Sequence, residues 1–121
     1  MRRMILILLL FSTAAPAYAA DADQGKEVFA RCQMCHALEA NAGAKPGPDL
    51  HGLFGRKAGS LSGFAYSPAM KDSGVTWGAD TLAKFLRDPR DFIPGNRMGF
   101  PGVKNAEDLD DLLAYLKEAT Q

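Results

Sequence analysis

The chain has 121 residues, with 14 basic and 14 acidic side chains and a formal net charge of zero at pH 7. This length fits one small domain, and the sequence contains no internal repeat or low-complexity stretch that would indicate a different organisation. The balanced charge argues against nucleic acid as a partner.

The first 20 residues are predicted to be a secretory signal peptide. Arg2 and Arg3 precede an apolar run of eight residues, and small residues follow up to Ala17-Tyr18-Ala19-Ala20. The apolar run is much shorter than the roughly 20 residues that span a bilayer, so we expect no stable membrane insertion. The sequence therefore predicts export to the periplasm, removal of residues 1–20, and one mature domain, residues 21–121, with a net charge of about −2.

A helix over residues 24–31, capped by Asp21 or Asp23, is predicted to lead into the two cysteines of the chain. These are Cys32 and Cys35, and His36 follows directly, which is the C-x-x-C-H arrangement typical of c-type haem attachment. Each thiol can add to one vinyl group of the same porphyrin, and the adjacent imidazole can then bind the iron. The motif occurs once, so one covalently attached haem c is expected.

A C-x-x-C pair also occurs in thioredoxin-type redox sites, zinc sites and structural disulfides. A four-ligand zinc site needs two more ligands, but His51 is the only other histidine in the sequence. A thioredoxin motif should follow a buried strand, whereas this pair follows a helical pattern. Haem attachment is favoured because it also explains the histidine next to the second cysteine.

The middle of the chain is predicted to be a long loop, residues 41–63, rich in glycine and proline. A loop of this length is unusual in a small domain, and a haem edge would give it a surface to wrap. Ser67 and Pro68 predict the start of a short helical turn that reaches Asp72. A second helix is expected over residues 81–87, ended or kinked by Pro89.

A haem iron bound by His36 needs a ligand on its other face. Met34 lies inside the attachment motif and cannot reach that face. Met70 lies in the short predicted helix, where a methionine is interpreted by default as a core residue. Met98 lies in a proline- and glycine-rich loop, residues 93–100, of the kind that can hold a thioether against a metal. Met98 is therefore the predicted sixth ligand.

The last helix has one apolar stripe at the spacing i, i+3, i+4 and i+7, formed by Leu109, Leu112, Leu113 and Leu116. Asn105 is its predicted cap, and the acidic residues that follow are expected to stabilise the helix rather than bind a metal: Glu107, Asp108, Asp110 and Asp111. Gly25 should let the first helix approach closely, with Phe29 near Leu112 and Tyr115. No strand pattern occurs, so the predicted fold class is all-α.

Together these motifs resemble the class I cytochromes c, close to the cytochrome c2 and mitochondrial cytochrome c branch. The matching segments are residues 32–36, 47–56, 75–77, 93–98 and 112–116. The resemblance implies that the N- and C-terminal helices pack together around one covalently bound haem. It also implies that the Pro48 carbonyl orients His36, that Arg56, Tyr66 and Trp77 donate hydrogen bonds to a haem propionate, and that His51 is a non-ligating surface residue.

The chain departs from this family pattern near the expected sixth ligand. Phe85 replaces a common tyrosine, Met70 an asparagine, and Asn96 a threonine whose donor role it can keep. The lysines usual in this loop are replaced by Arg90, Asp91 and Arg97. Such cytochromes commonly exchange the axial methionine for a nearby lysine at high pH, so the resemblance implies that Met98 stays bound to higher pH here.

The predicted function is one-electron transfer by a monomeric carrier, because a His/Met-ligated iron has no open site. The implied partners are a cytochrome bc1-type reductase and a terminal oxidase, reductase or photosynthetic reaction centre. They should dock at the haem rim, which is expected to carry basic residues: Arg31, Lys45, Arg90, Arg97 and Lys104. The alternatives are a haem subunit of one enzyme or a ligand-binding, peroxidase-like protein with a labile sixth ligand.

Overall fold

The computed structural model describes residues 10–15 and 18–121. This part contains the helices α1 (Ala22–Phe29), α2 (Pro68–Lys71), α3 (Ala79–Arg87), α4 (Pro89–Phe92) and α5 (Ala106–Ala119). It contains no β-strand, although one isolated antiparallel bridge joins Lys57 to Thr76. The all-α prediction is confirmed.

The predicted signal peptide lies partly outside the described residues, because residues 1–9, with both arginines, and residues 16–17 are not among them. Its removal therefore remains a prediction. Within the described part of the chain, no helix has the length and apolar character needed to cross a membrane.

α1, α2 and α5 each have a predicted residue as side-chain cap, although α1 covers Ala22–Phe29 rather than the predicted residues 24–31. Asp21 accepts from the backbone N–H of Asp23 at 2.9 Å, Ser67 accepts from Met70 at 3.1 Å, and Asn105 accepts from Asp108 at 2.9 Å. Each cap satisfies a backbone donor that the first helical turn leaves without a partner. The positions of α1, α2 and α5 thus follow from local sequence.

The region around Pro89 differs from the prediction. α3 begins at Ala79, two residues earlier than expected, and ends before Asp88. Pro89 then opens α4, which the sequence analysis did not predict, and the Asp88 carboxylate caps it by accepting from the Asp91 N–H at 3.2 Å. Proline is well suited to a first helical position because its missing N–H would have no helical partner there.

The two terminal helices pack closely because Gly25 has no side chain. A Cβ at this position would collide with the Asp111 carbonyl and would lie 2.8 Å from the Cβ of Tyr115. The rings of Phe29 and Tyr115 are 5.5 Å apart, and Leu112 is fully buried beside them. The predicted approach of the first and last helices at Gly25 is therefore present in the structure.

Asp111 has a different role from its acidic neighbours. Its side chain is buried and accepts from the Asp21 N–H at 2.8 Å and from the Tyr18 hydroxyl at 2.7 Å. The hydrogen bond to Asp111 raises the pKa of Tyr18 to about 12. Tyr18 lies in the predicted signal peptide, so the bond to Asp21 is the one that ties the start of α1 to α5 after removal of residues 1–20. Glu107 and Asp108 occupy the first turn of α5 as expected.

The core lies between the α1–α5 pair, α3 and the loops that connect them. Trp77 and Phe85 pack with their rings 5.0 Å apart, and Val103 in the loop before α5 is 1% exposed. The core residues are Val28, Phe29, Leu53, Ala58, Trp77, Leu82, Phe85, Leu86, Ile93, Val103, Leu109, Leu112 and Leu116. Several of them also face a large internal cavity.

Candidate haem site

The C-x-x-C-H segment continues α1 as a series of turns. The Cys32 N–H donates to the Phe29 carbonyl at 2.8 Å, the Cys35 N–H to the Cys32 carbonyl at 3.1 Å, and the His36 N–H to the same carbonyl at 3.0 Å. This helical path brings both thiols and the imidazole to one wall of the cavity. This geometry agrees with the sequence prediction that a helix leads into the cysteines and places them at the site.

The His36 ring is fixed by the backbone of the long loop. Its Nδ1 lies 2.7 Å from the Pro48 carbonyl oxygen. A carbonyl can only accept, so Nδ1 carries the proton and Nε2 keeps its lone pair for a metal. Burial lowers the pKa of His36, and the ring is therefore neutral at pH 7, as a metal-ligating imidazole must be.

Gly47 is a site residue that the sequence analysis missed. A Cβ there would lie 2.5 Å from Cε1 and 2.8 Å from Nδ1 of His36, and the Gly47 N–H donates to the Cys35 carbonyl at 2.8 Å. Any side chain would displace the imidazole from the Pro48 carbonyl. The Gly-Pro pair within the predicted loop was the available signal, but only the packing shows that the glycine is needed to make room for the His36 ring.

The cavity has a volume of about 370 Å³ and brings together most of the predicted site residues. Both cysteines, His36 and Met98 line it, together with Met70, Pro48, Arg56, Tyr66 and Trp77. The rest of the wall is mainly apolar, with Phe29, Leu53, Leu82, Phe85, Leu86, Phe100, Leu112 and Leu116. Two thiols, a neutral imidazole and a thioether in an apolar cavity fit the chemistry of a covalently bound haem.

The three residues expected at a propionate lie at this cavity in different environments. Arg56 donates to the carbonyls of Asp49 at 2.7 Å and His51 at 3.0 Å, and its guanidinium lies 3.7 Å from the Asp49 carboxylate. The Tyr66 hydroxyl accepts from the Leu61 N–H at 3.3 Å, and burial raises the pKa of Tyr66. Trp77 is 7% exposed and is also part of the hydrophobic core.

Asn96 and His51 are not among the described residues that line the cavity. The side chain of Asn96 bonds instead to the backbone around Met98, and the exposed His51 receives an Arg56 hydrogen bond on its carbonyl. The structure thus gathers the attachment motif, Met98 and the three expected propionate donors, and leaves Asn96 behind the wall.

The expected basic rim is only partly assembled. Arg31 and Arg97 line the cavity, and the Lys45 ammonium donates to the carbonyl of Gln33 within the attachment motif at 2.8 Å. Lys104 instead donates to the Arg87 carbonyl at 2.7 Å and lies 3.7 Å from the Asp88 carboxylate. In the part of the chain that the structure describes, the cavity wall includes neither Lys104 nor Arg90.

A small all-α domain that lines an apolar cavity with a C-x-x-C-H motif is a class I c-type cytochrome in fold and site. The family model for cytochrome c matches residues 22–120. The chain is 44% identical to cytochrome c2 of Blastochloris viridis over 119 residues, which are 98% of this chain and 94% of that protein. It is 49% identical to a cytochrome c of Chlamydomonas reinhardtii over 110 residues, 90% of this chain and 98% of that protein.

A solved structure gives the same result. Cytochrome cH from Methylobacterium extorquens superposes with a TM-score of 0.75 at 43% identity, covering 82% of this chain and 99% of that chain. The chain belongs to the cytochrome c family. It is accordingly an electron carrier, and its cofactor is covalently attached haem c.

Proposed function

We propose that this protein carries single electrons in the periplasm on a haem whose iron is bound by His36 and Met98. The observation that carries the proposal is the shared cavity, which is lined by both cysteines, the His36 imidazole and the Met98 thioether. Met70 lines it as well, so the choice of Met98 rests on its loop position. Met70 instead lies in α2, where packing against the core is its default role.

The haem supplies the one-electron chemistry, and His/Met ligation favours the reduced state and a high potential. The protein residues hold this ligation in place. The Pro48 carbonyl fixes the His36 tautomer and makes the imidazole a stronger donor. Apolar residues such as Leu82, Phe85 and Leu116 keep water from the cavity, and Arg56 and Tyr66 offer N–H and O–H donors to buried carboxylates.

The proposed partners are a cytochrome bc1-type reductase and a terminal oxidase, reductase or photosynthetic reaction centre. The predicted signal peptide, residues 1–20, supports export to their compartment. Arg31 and Arg97 at the cavity wall would meet an acidic patch on a partner, which orients docking and raises the association rate. Met34, 83% exposed next to Cys35, offers an apolar surface within the attachment motif.

Exchange of the candidate ligands tests the proposal. Met98→Ala should leave the haem covalently attached, abolish the charge-transfer band of a thioether-bound ferric iron, and open the iron to added azide. Met70→Ala is the matched control, because it removes the other thioether of the cavity and should keep the band. If Met70→Ala loses the band and Met98→Ala keeps it, the ligand assignment is wrong, and if the wild type binds azide as readily as Met98→Ala, the peroxidase-like alternative is favoured.

A further inference from the structure

We propose that Asn96 is a positioning residue. Its side chain connects the backbone of Met98 to α4 by hydrogen bonds and so controls how firmly the proposed sixth ligand is held. This inference rests on the proposed function, since it concerns the His36/Met98 pair. It gives Asn96 a role at the backbone of Met98, whereas the family resemblance implies a hydrogen-bond donor that contacts the cofactor.

All the polar atoms of the Asn96 side chain are used on the main chain. The amide nitrogen donates to the Pro89 carbonyl at 2.7 Å and to the Ile93 carbonyl at 2.8 Å. The side-chain oxygen accepts from the Met98 N–H at 2.9 Å. Two carbonyls and one N–H admit only this orientation of the amide, so both donors and the acceptor have partners.

The two residues whose carbonyls bind the Asn96 amide, Pro89 and Ile93, are held firmly in the fold. Pro89 is among the fully buried side chains, and Ile93 is 4% exposed in the core. The Ile93 N–H donates to the Pro89 carbonyl at 3.1 Å, which closes the turn of α4 beneath the amide. Asn96 therefore joins the Met98 backbone to a fixed point rather than to another loop.

Met98 is held on its other side as well. The Phe100 N–H donates to the Met98 carbonyl at 2.9 Å, so the residue is bonded at both its N–H and its carbonyl. A loop already fixed in its bound conformation loses less freedom when its side chain binds a ligand, which strengthens the binding. Since the described residues that line the cavity do not include Asn96, the side chain acts on the haem through Met98.

Imidazole binding to the oxidised holoprotein measures this effect, because added imidazole must displace Met98. Asn96→Ala removes all three hydrogen bonds and should raise the imidazole affinity about tenfold or more. Asn96→Asp keeps an acceptor for the Met98 N–H but places a carboxylate against two carbonyls, and it should raise the affinity too. Asn96→Asp also provides the comparison if Asn96→Ala does not accumulate as folded protein.

Asn105→Ala is the matched control, because Asn105 likewise uses its side-chain oxygen to accept a backbone N–H, that of Asp108 at 2.9 Å, in the cap of α5. It should lower the melting temperature and leave the imidazole affinity unchanged. The inference is overturned if Asn96→Ala and Asn96→Asp bind imidazole as the wild type does, or if Asn105→Ala raises the affinity equally. A wild-type ferric protein without the thioether band would overturn the proposed ligation itself, which separates the two failures.

Discussion

At the scale of single residues, the loop around Met98 carries arginines at positions where the family resemblance implies lysines. Arg97 adjoins Met98 and lines the cavity, and Arg90 lies in α4. A guanidinium stays protonated and has no lone pair to offer to iron. Of the lysines that could replace Met98, Lys71 and Lys84 are exposed on α2 and α3, while Lys104 is bonded to the Arg87 carbonyl.

We expect Met98 to remain bound to a higher pH in the wild type than in Arg97→Lys. The variant places an amine next to the proposed ligand, and this amine can bind iron once it loses its proton. An optical titration of the thioether band towards high pH should therefore show a lower midpoint for Arg97→Lys. Arg90→Lys tests the same substitution away from the cavity wall. Equal midpoints for the wild type and Arg97→Lys would contradict the prediction.

At the scale of helices, the contact of α1 with α5 depends on the absence of a side chain at Gly25. Helix propensity alone predicts that Gly25→Ala stabilises α1 by about 1 kcal/mol. The packing predicts the opposite sign, because the new methyl group meets the Asp111 carbonyl and the Tyr115 side chain. Backbone cannot move aside as a flexible side chain does, so we expect a loss of about 1–3 kcal/mol in the free energy of unfolding.

Denaturant unfolding of the holoprotein measures this loss. Gln24→Ala is the control, since Gln24 is exposed in the same helix and both residue types favour helix. It should change the free energy of unfolding little. A Gly25→Ala protein at least as stable as the wild type would show that the two helices can separate without cost.

At the scale of the whole molecule, basic and acidic residues meet beside the cavity, because α5 contributes both to its wall and to an ion pair with Arg31. Arg31 and Arg97 line the cavity, and the Arg31 guanidinium lies 4.0 Å from the carboxylate of Asp108 in the acidic first turn of α5. An exposed pair of this kind is weak, so Arg31 can exchange Asp108 for an acidic group on a partner. If residues 1–20 are removed as predicted, the mature chain has a net charge of about −2 and still presents Arg31 and Arg97 to an acidic partner.

Electron transfer to the native partner should slow as ionic strength rises, because the Debye length falls to about 10 Å at 0.1 M salt. Arg31→Glu and Arg97→Glu should slow the second-order rate at low salt and leave the haem spectrum unchanged. Lys117→Glu, exposed in the last turn of α5, should have a smaller effect. Stopped-flow rates across a salt series measure all three variants, and a salt-independent rate would indicate apolar docking instead.

Local patterns in the sequence determined the haem motif, the all-α class and the capped starts of α1, α2 and α5. Each of these depends on neighbouring residues: a C-x-x-C-H run, a 3.6-residue apolar period, or an oxygen that reaches the next turn. Such signals are complete within a few positions of the chain. The resemblance to class I cytochromes c added the family, and the comparisons confirm it.

Only the tertiary structure decided what distant residues do to one another. It gave Asp111 its buried bonds to Asp21 and Tyr18, because those partners lie 90 residues or more away in the chain. It likewise showed that Gly47 is needed to make room for His36, and that Asn96 bonds to Met98 from behind the cavity wall. The sequence shows only that a position is asparagine or glycine. The role of that residue depends on the atoms that folding places next to it.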